Sequence, residues 1–262
     1  MAQRARERKL PWYDAAFEQD YLARYHHRSD EAATAELPFL LTALALPHGA
    51  RILDLCCGAG RHSRALKISG YRVLAVDRSG DLLKQAHALQ AGGKEIGYVR
   101  ADMRRLPLAG RSLDGAVNLF TSFGYFERDA ENLQVLREVA RVLKPGAPFV
   151  FDFLNLPMTL GKLVPRSEKI IGRTRLTQRR FFDRKTRRLV KITRLTGRGR
   201  TLVRRESVRA YSPVELNALF RRAGLEIVAR FGDLFGSPFD LQASPRCVLV
   251  ARPAGTGRRR RS

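Results

Sequence analysis

A chain of 262 residues that is 44% hydrophobic can bury one substantial core but is cramped for two, so one domain with an elaboration is expected. No run approaches the roughly 20 apolar residues needed to cross a bilayer. The first ten residues lack the apolar segment of a secretory signal, which predicts a cytoplasmic protein with no membrane partner. The balance of 49 Lys and Arg against 25 Asp and Glu, a net charge of +24, brings polyanions into consideration beside a plainly solvated surface. Cys56, Cys57 and Cys247 form no C-x-x-C pair and have no histidines at metal spacing, so free thiols are expected, with neither a disulfide framework nor a metal site.

In chain order, residues 1–10 and the arginine tail 254–262 are charged and core-poor and read as flexible arms. Helical patterns run from about Tyr13 to Arg28 and from Glu31 to Ala45. Short β-branched or aromatic segments follow at Arg51 to Cys56, Tyr71 to Val76, Glu95 to Val99, Gly115 to Leu119 and Pro148 to Asp152. Helical stretches lie between most of them, at Arg61 to Ser69, Gly80 to Gln90 and Asp129 to Leu143, the last stopped by Lys144-Pro-Gly146. This alternation predicts an α/β fold with a mostly parallel sheet covered on both faces.

Residues 162–211 break the rhythm. Arg173 to Phe182, Arg188 to Thr196 and Thr201 to Ala210 read as extended segments joined by turns, an antiparallel β-meander inserted into the α/β domain. This stretch holds 18 Lys or Arg against three acids, Glu168, Asp183 and Glu206, and so carries most of the net charge. The earlier pattern then resumes in residues 212–253: Ser212-Pro-Val-Glu215 forms a capping box with Pro at the first helical position, the helix stops at Ala223-Gly224, and Leu225 to Phe231 and Cys247 to Ala251 are strands.

Gly58 and Gly60 sit in the turn from the first strand into a helix, where absent β-carbons let a ligand approach the backbone. Asp77, at the end of the second strand, is placed to hydrogen-bond ribose hydroxyls, as nicotinamide enzymes and methyltransferases both require. Asp54 separates the two. Four residues before Gly58, it suits a sulfonium cofactor and would repel a pyrophosphate.

Leu53-Asp-Leu-Cys-Cys-Gly-Ala-Gly60 resembles the first motif of class I (Rossmann-like) S-adenosylmethionine-dependent methyltransferases, and Asp77 resembles their ribose-binding acid. The resemblance extends over about Ile52 to Arg252. Ala101-Asp-Met103 is similar to the adenine-binding step, Leu113 to Phe126 to the segment running under the methyl group into the acceptor pocket, and Lys144-Pro-Gly146 to the turn before strand five. It implies a seven-stranded sheet with an antiparallel last strand, S-adenosyl-L-methionine as cofactor, and a core at 11–161 with an N-terminal helical cap. The β-rich insert after strand five resembles that of small-molecule methyltransferases and would be an acceptor lid. The implied cofactor contacts are Asp54, Cys56, Gly58, Gly60, Arg61, His62, Asp77, Arg78, Asp102, Met103, Asn118, Leu119, Phe120 and, from a lid of N-terminal aromatics that reads equally as a packed stripe, Tyr21.

Methyl transfer needs alignment and exclusion of water and no covalent protein nucleophile. Tyr125, His26 and Asp152 are the candidate general bases, with His27 and His62 behind them. Phe120, Phe123, Tyr125 and Phe126 would form an aromatic acceptor wall, or in part plain core. A small-molecule acceptor accepting on N or O is the first reading. An RNA methyltransferase gripping phosphates through the basic insert and tail is the alternative, although Asn118-Leu-Phe-Thr121 lacks the Pro-Pro step of base-amine methylating enzymes. A cofactor-binding protein without catalysis is the third. The acceptor and the oligomeric state are not legible.

Overall fold

The computed structural model describes residues 11–13, 29–90, 96–197 and 199–255. The arms 1–10 and 256–262, most of the first helical stretch, and with them Tyr21, His26 and His27, lie outside the described residues. Among the described residues no helix is long and apolar enough to cross a membrane.

Helix α1 (Asp30–Leu44) starts where Ser29 caps it by accepting the Ala32 N–H, with Asp30 and Glu31 in the first turn facing the positive end of the helix dipole. Strand β1 (Arg51–Leu55) leads through the glycine turn into α2 (Arg61–Ile68), and β2 (Arg72–Asp77) into α3 (Gly80–Ala88). Then follow β3 (Gly97–Arg100), β4 (Gly115–Asn118), α4 (Asp129–Val142), β5 (Phe149–Leu154) and the short α5 (Leu156–Gly161). Four strands make the insert: β6 (Arg166–Ile171), β7 (Thr174–Asp183), β8 (Arg188–Gly197) and β9 (Arg200–Arg209). Helix α6 (Pro213–Arg222), β10 (Leu225–Phe231) and β11 (Arg246–Pro253) complete the chain.

The main sheet has the order β10-β11-β5-β4-β1-β2-β3, in which only β11 runs against its neighbours. Alternate residues of each strand serve two cores. Leu53, Leu55, Ala116, Phe149, Phe151 and Phe153 face α4 and α6 on one side, whereas Ile52, Ala75, Val117 and Val150 face α1 and α2 on the other. Parallel strands covered by helices on both faces therefore show near-continuous apolar runs. The order reverses between β1 and β4, which opens a crevice at their carboxyl ends, where such sheets hold ligands.

The insert differs from its expected form in one strand. Arg166–Ile171 is an edge strand, exposed at five of its six residues, so it has no buried face to mark it in the sequence. Helix α5 was likewise not expected, and the third strand begins two residues later, at Gly97. At its root the insert is tied to the core by ion pairs: Arg209 and Arg187 both reach Glu215, the capping-box residue of α6, at 2.7 and 2.9 Å.

Candidate functional site

The crevice is a cavity of about 760 Å³, inside the range of about 300–1,000 Å³ typical of small-molecule sites. Its floor is the turn after β1. Cys56, Gly58 and Gly60 take the left-handed conformation (φ 61°, 58° and 76°), the last where any side chain would collide with the Tyr98 ring. Asp77 at the end of β2 accepts the Gly58 N–H (2.9 Å) on one carboxylate oxygen and the Ser79 N–H (2.8 Å) on the other. Each oxygen keeps a lone pair, which is the pattern needed to accept from a vicinal diol. Burial is the main reason that the pKa values of Asp77 and Asp54 lie above the ordinary carboxylate value. Asp54 accepts from Ser63 Oγ at 2.5 Å, which fixes the start of α2 against β1.

Cys56 and Cys57 line the cavity, and burial, with the negative charges of Asp54 and Asp77 adding to it, holds both thiols well above their ordinary pKa. They stay protonated and are poor nucleophiles. Asp102 lines the cavity beside Met103. Its carboxylate takes Arg104 at 2.6 Å and Arg78 at 2.9 Å. Met103 remains on the cavity wall beside Cys56.

His62 lies on the wall above Phe120, ring centroids 5.6 Å apart, and its Nε2 is 2.7 Å from Glu36 of α1. The Arg61 guanidinium covers the same Phe120 ring at 3.9 Å. Glu36 was missed in the sequence, yet it had a signal: a carboxylate on the helix face otherwise formed by Ala33, Phe39 and Leu40. Leu119 and Phe120 line the cavity, but Asn118 stands behind it, donating to the Leu55 carbonyl at 2.9 Å and so bracing the end of β1.

Asp152 must be reassigned. It is fully buried, away from the cavity lining, and paired with Arg246 at 2.7 Å, so it is not placed to take a proton from an acceptor. Instead it accepts the Phe120 N–H at 2.7 Å, while its own carbonyl accepts the Thr121 N–H at 3.1 Å. Phe120 and Thr121 both have positive φ, 58° and 59°, a conformation costly for an aromatic and a β-branched residue. The Asp152–Arg246 pair over-determines that step, with Arg246 also donating to Thr121 Oγ1 at 2.9 Å.

Tyr125, Phe126 and Tyr13 line the cavity, with the Arg78 guanidinium over the Tyr13 ring at 5.3 Å and that of Arg104 over the Phe126 ring at 4.2 Å. Their rings form an edge-to-face chain with Trp12: Trp12 to Tyr125 at 5.2 Å, Trp12 to Tyr13 at 5.8 Å, Tyr13 to Phe126 at 5.4 Å. Phe123 does not join this wall. It is core, 5.2 Å from Phe151 and 1% exposed.

Residues 52–146 match the family described as a methyltransferase domain. Among curated relatives, the demethylmenaquinone methyltransferase of Clavibacter sepedonicus is 40% identical over 119 residues, 45% of this chain and 47% of that protein. The cypemycin N-terminal methyltransferase of a Streptomyces species is 26% identical over 212 residues, 78% of this chain and 84% of its own. The chain spans about half the length of the first curated relatives it matches. An S-adenosylmethionine-dependent methyltransferase from Clostridium acetobutylicum superposes with a TM-score of 0.75 at 16% identity, covering 90% of this chain and 96% of that one. The fold is that of the class I methyltransferases.

Proposed function

We propose that this chain is an S-adenosylmethionine-dependent methyltransferase acting on a nitrogen or oxygen of a small-molecule acceptor. The observation that carries the reading is Asp77: a buried carboxylate, braced by two backbone N–H groups, opening into a cavity that starts at a glycine turn and ends at an aromatic wall. The residues fit the cofactor. Asp77 holds the ribose hydroxyls, Met103 and Leu119 flank the base, and Arg61 and His62 attend the methionine end. Asp54 and the Cys56 to Ala59 segment shape the floor. When bound, S-adenosylmethionine supplies a methyl group on a positively charged sulfur, open to in-line displacement by the acceptor. The protein's part is to hold both partners in line and keep water out, which Phe120, Tyr125 and Phe126 do by walling the acceptor end.

A small acceptor fits this enclosed wall. The insert's cations divide between its two faces, Arg179, Arg194 and Arg205 on one and Arg180, Lys191 and Arg204 on the other, rather than forming one phosphate-gripping surface, so RNA is not favoured. The two curated relatives named above act, by their names, on demethylmenaquinone and on the N-terminus of cypemycin.

Incubation with methyl-labelled S-adenosylmethionine and a cell extract split into metabolite, protein and RNA fractions tests this reading. Label is expected among metabolites and lost in Asp77→Ala. That substitution removes charge-assisted hydrogen bonds of about 1.5–3 kcal/mol each, so cofactor affinity is expected to fall at least about tenfold. Label in RNA would overturn the choice of acceptor, and preference for a nicotinamide dinucleotide would overturn the choice of cofactor.

A further inference from the structure

The loop Gly124 to Phe126 supplies two residues of the aromatic wall but has no regular structure of its own. It is held from outside, by Arg188 at the start of β8. Arg188 donates to the carbonyl oxygens of Gly124 (3.1 Å), Tyr125 (3.0 Å) and Phe126 (3.0 Å). It is itself steadied by the carbonyl oxygen and the hydroxyl of Ser207, on the neighbouring strand β9, at 2.7 and 2.8 Å. All three guanidinium nitrogens are engaged, a planar fork that lysine cannot reproduce.

The hydrogen bonds of Arg188 go to carbonyl oxygens and the Ser207 hydroxyl. The carboxylates at the insert root, Asp129 and Glu215, pair with Arg209 instead. Arg209 adds a second tether, its backbone N–H donating to the Gly124 carbonyl at 2.7 Å. At Gly124 (φ 82°) a β-carbon would lie 2.6 Å from the Arg209 carbonyl oxygen, so glycine is what lets the two backbones meet.

We propose that Arg188 is a positioning residue for the acceptor: through it the insert holds the Tyr125–Phe126 wall in place, so that the insert serves as a clamp on the site. The name of this end of the cavity rests on the methyltransferase reading, but the clamp itself rests on the contacts. A purely structural Arg188 would only attach the insert to the core.

Trp12 distinguishes the two. It is the single tryptophan of the chain, its Nε1 donates to the same Tyr125 carbonyl that Arg188 holds (3.4 Å), and its ring packs edge-on to Tyr125. Its emission therefore reports the wall. In the full-length protein, Arg188→Met, Arg188→Lys and the control Arg194→Met, an exposed position on the same face of β8, are compared by S-adenosylhomocysteine binding and by acrylamide quenching of Trp12.

Arg188→Met is expected to raise the quenching constant at least about twofold and Arg188→Lys to give an intermediate rise, since one ammonium replaces the fork. Arg194→Met is expected to leave it unchanged, and all three to keep S-adenosylhomocysteine affinity within about twofold, because the residues that hold the cofactor lie outside the clamp. If Arg188→Met does not fold, the rise in Arg188→Lys carries the test. Unchanged quenching in both Arg188 variants, an equal rise in Arg194→Met, or affinity lost in step with quenching would overturn the clamp. Failure of the wild type to bind S-adenosylhomocysteine would overturn the methyltransferase reading and leave the Trp12 result to be judged by itself.

Discussion

In β5 all six residues are buried, and in β6 five of six are exposed, although both are strands of one chain. The main sheet is held by apolar side chains on two faces: Phe151 alone has the rings of Phe123 and Phe220 at 5.2 Å and that of Phe153 at 5.7 Å. The insert is a long antiparallel ladder with a largely polar surface, secured at its root by Arg187, Arg188 and Arg209. One sheet supplies rigidity by burial and carries the floor of the cavity. The other is polar, anchored at one end, and reaches the Gly124 to Phe126 loop through a few directed hydrogen bonds.

Core truncations should separate the two sheets most widely. Phe151→Ala should cost about 3–5 kcal/mol in denaturant unfolding, whereas Leu195→Ala, a half-buried position of β8, should cost about 1 kcal/mol or less. Equal losses would mean that the insert shares the core's cooperativity and would break the contrast.

Next in size is Asp152→Asn. Breaking a fully buried ion pair costs about 3–5 kcal/mol, and the Arg246 partner here is 28% exposed, which reduces that cost. The amide oxygen can still accept the Phe120 N–H, so a loss near the lower end is expected, read as a fall in thermal midpoint. Rescue by the double variant Asp152→Asn/Arg246→Met would locate the cost in the uncompensated charge, whereas no rescue would locate it in the left-handed Phe120–Thr121 step.

A smaller effect is expected with pH. The Arg141 guanidinium, and next the Leu106 N–H, hold the Glu138 carboxyl below its usual 4.5. A depressed carboxyl contributes stability that is present above its unfolded value and lost as pH falls through its folded value. The thermal midpoint should therefore drop from about pH 6 to about pH 3, and Glu138→Gln should flatten part of that slope. An unchanged slope would remove Glu138 from the main sheet's supports.

The order of strands and helices, the glycine turn, the Asp77 carboxylate beside it and the basic insert were legible because each rests on local pattern: apolar periodicity, capping boxes, and a carboxylate at a fixed distance from two glycines. Residues joined across long separations were not. Glu36 meets His62 across 26 positions and Arg246 meets Asp152 across 94, and no spacing rule announces either. Asp152 therefore looked like a free base at a strand end, and the structure makes it a buried brace. Arg188 was one arginine among 18 Lys and Arg in the insert until three carbonyls were found around it. Sequence by itself determined the fold class and the glycine turn at the floor of the cavity, since these follow from short-range backbone geometry. Tertiary structure alone decided which charged groups face the cavity and which hold its walls, because burial and pairing depend on what the rest of the chain brings alongside.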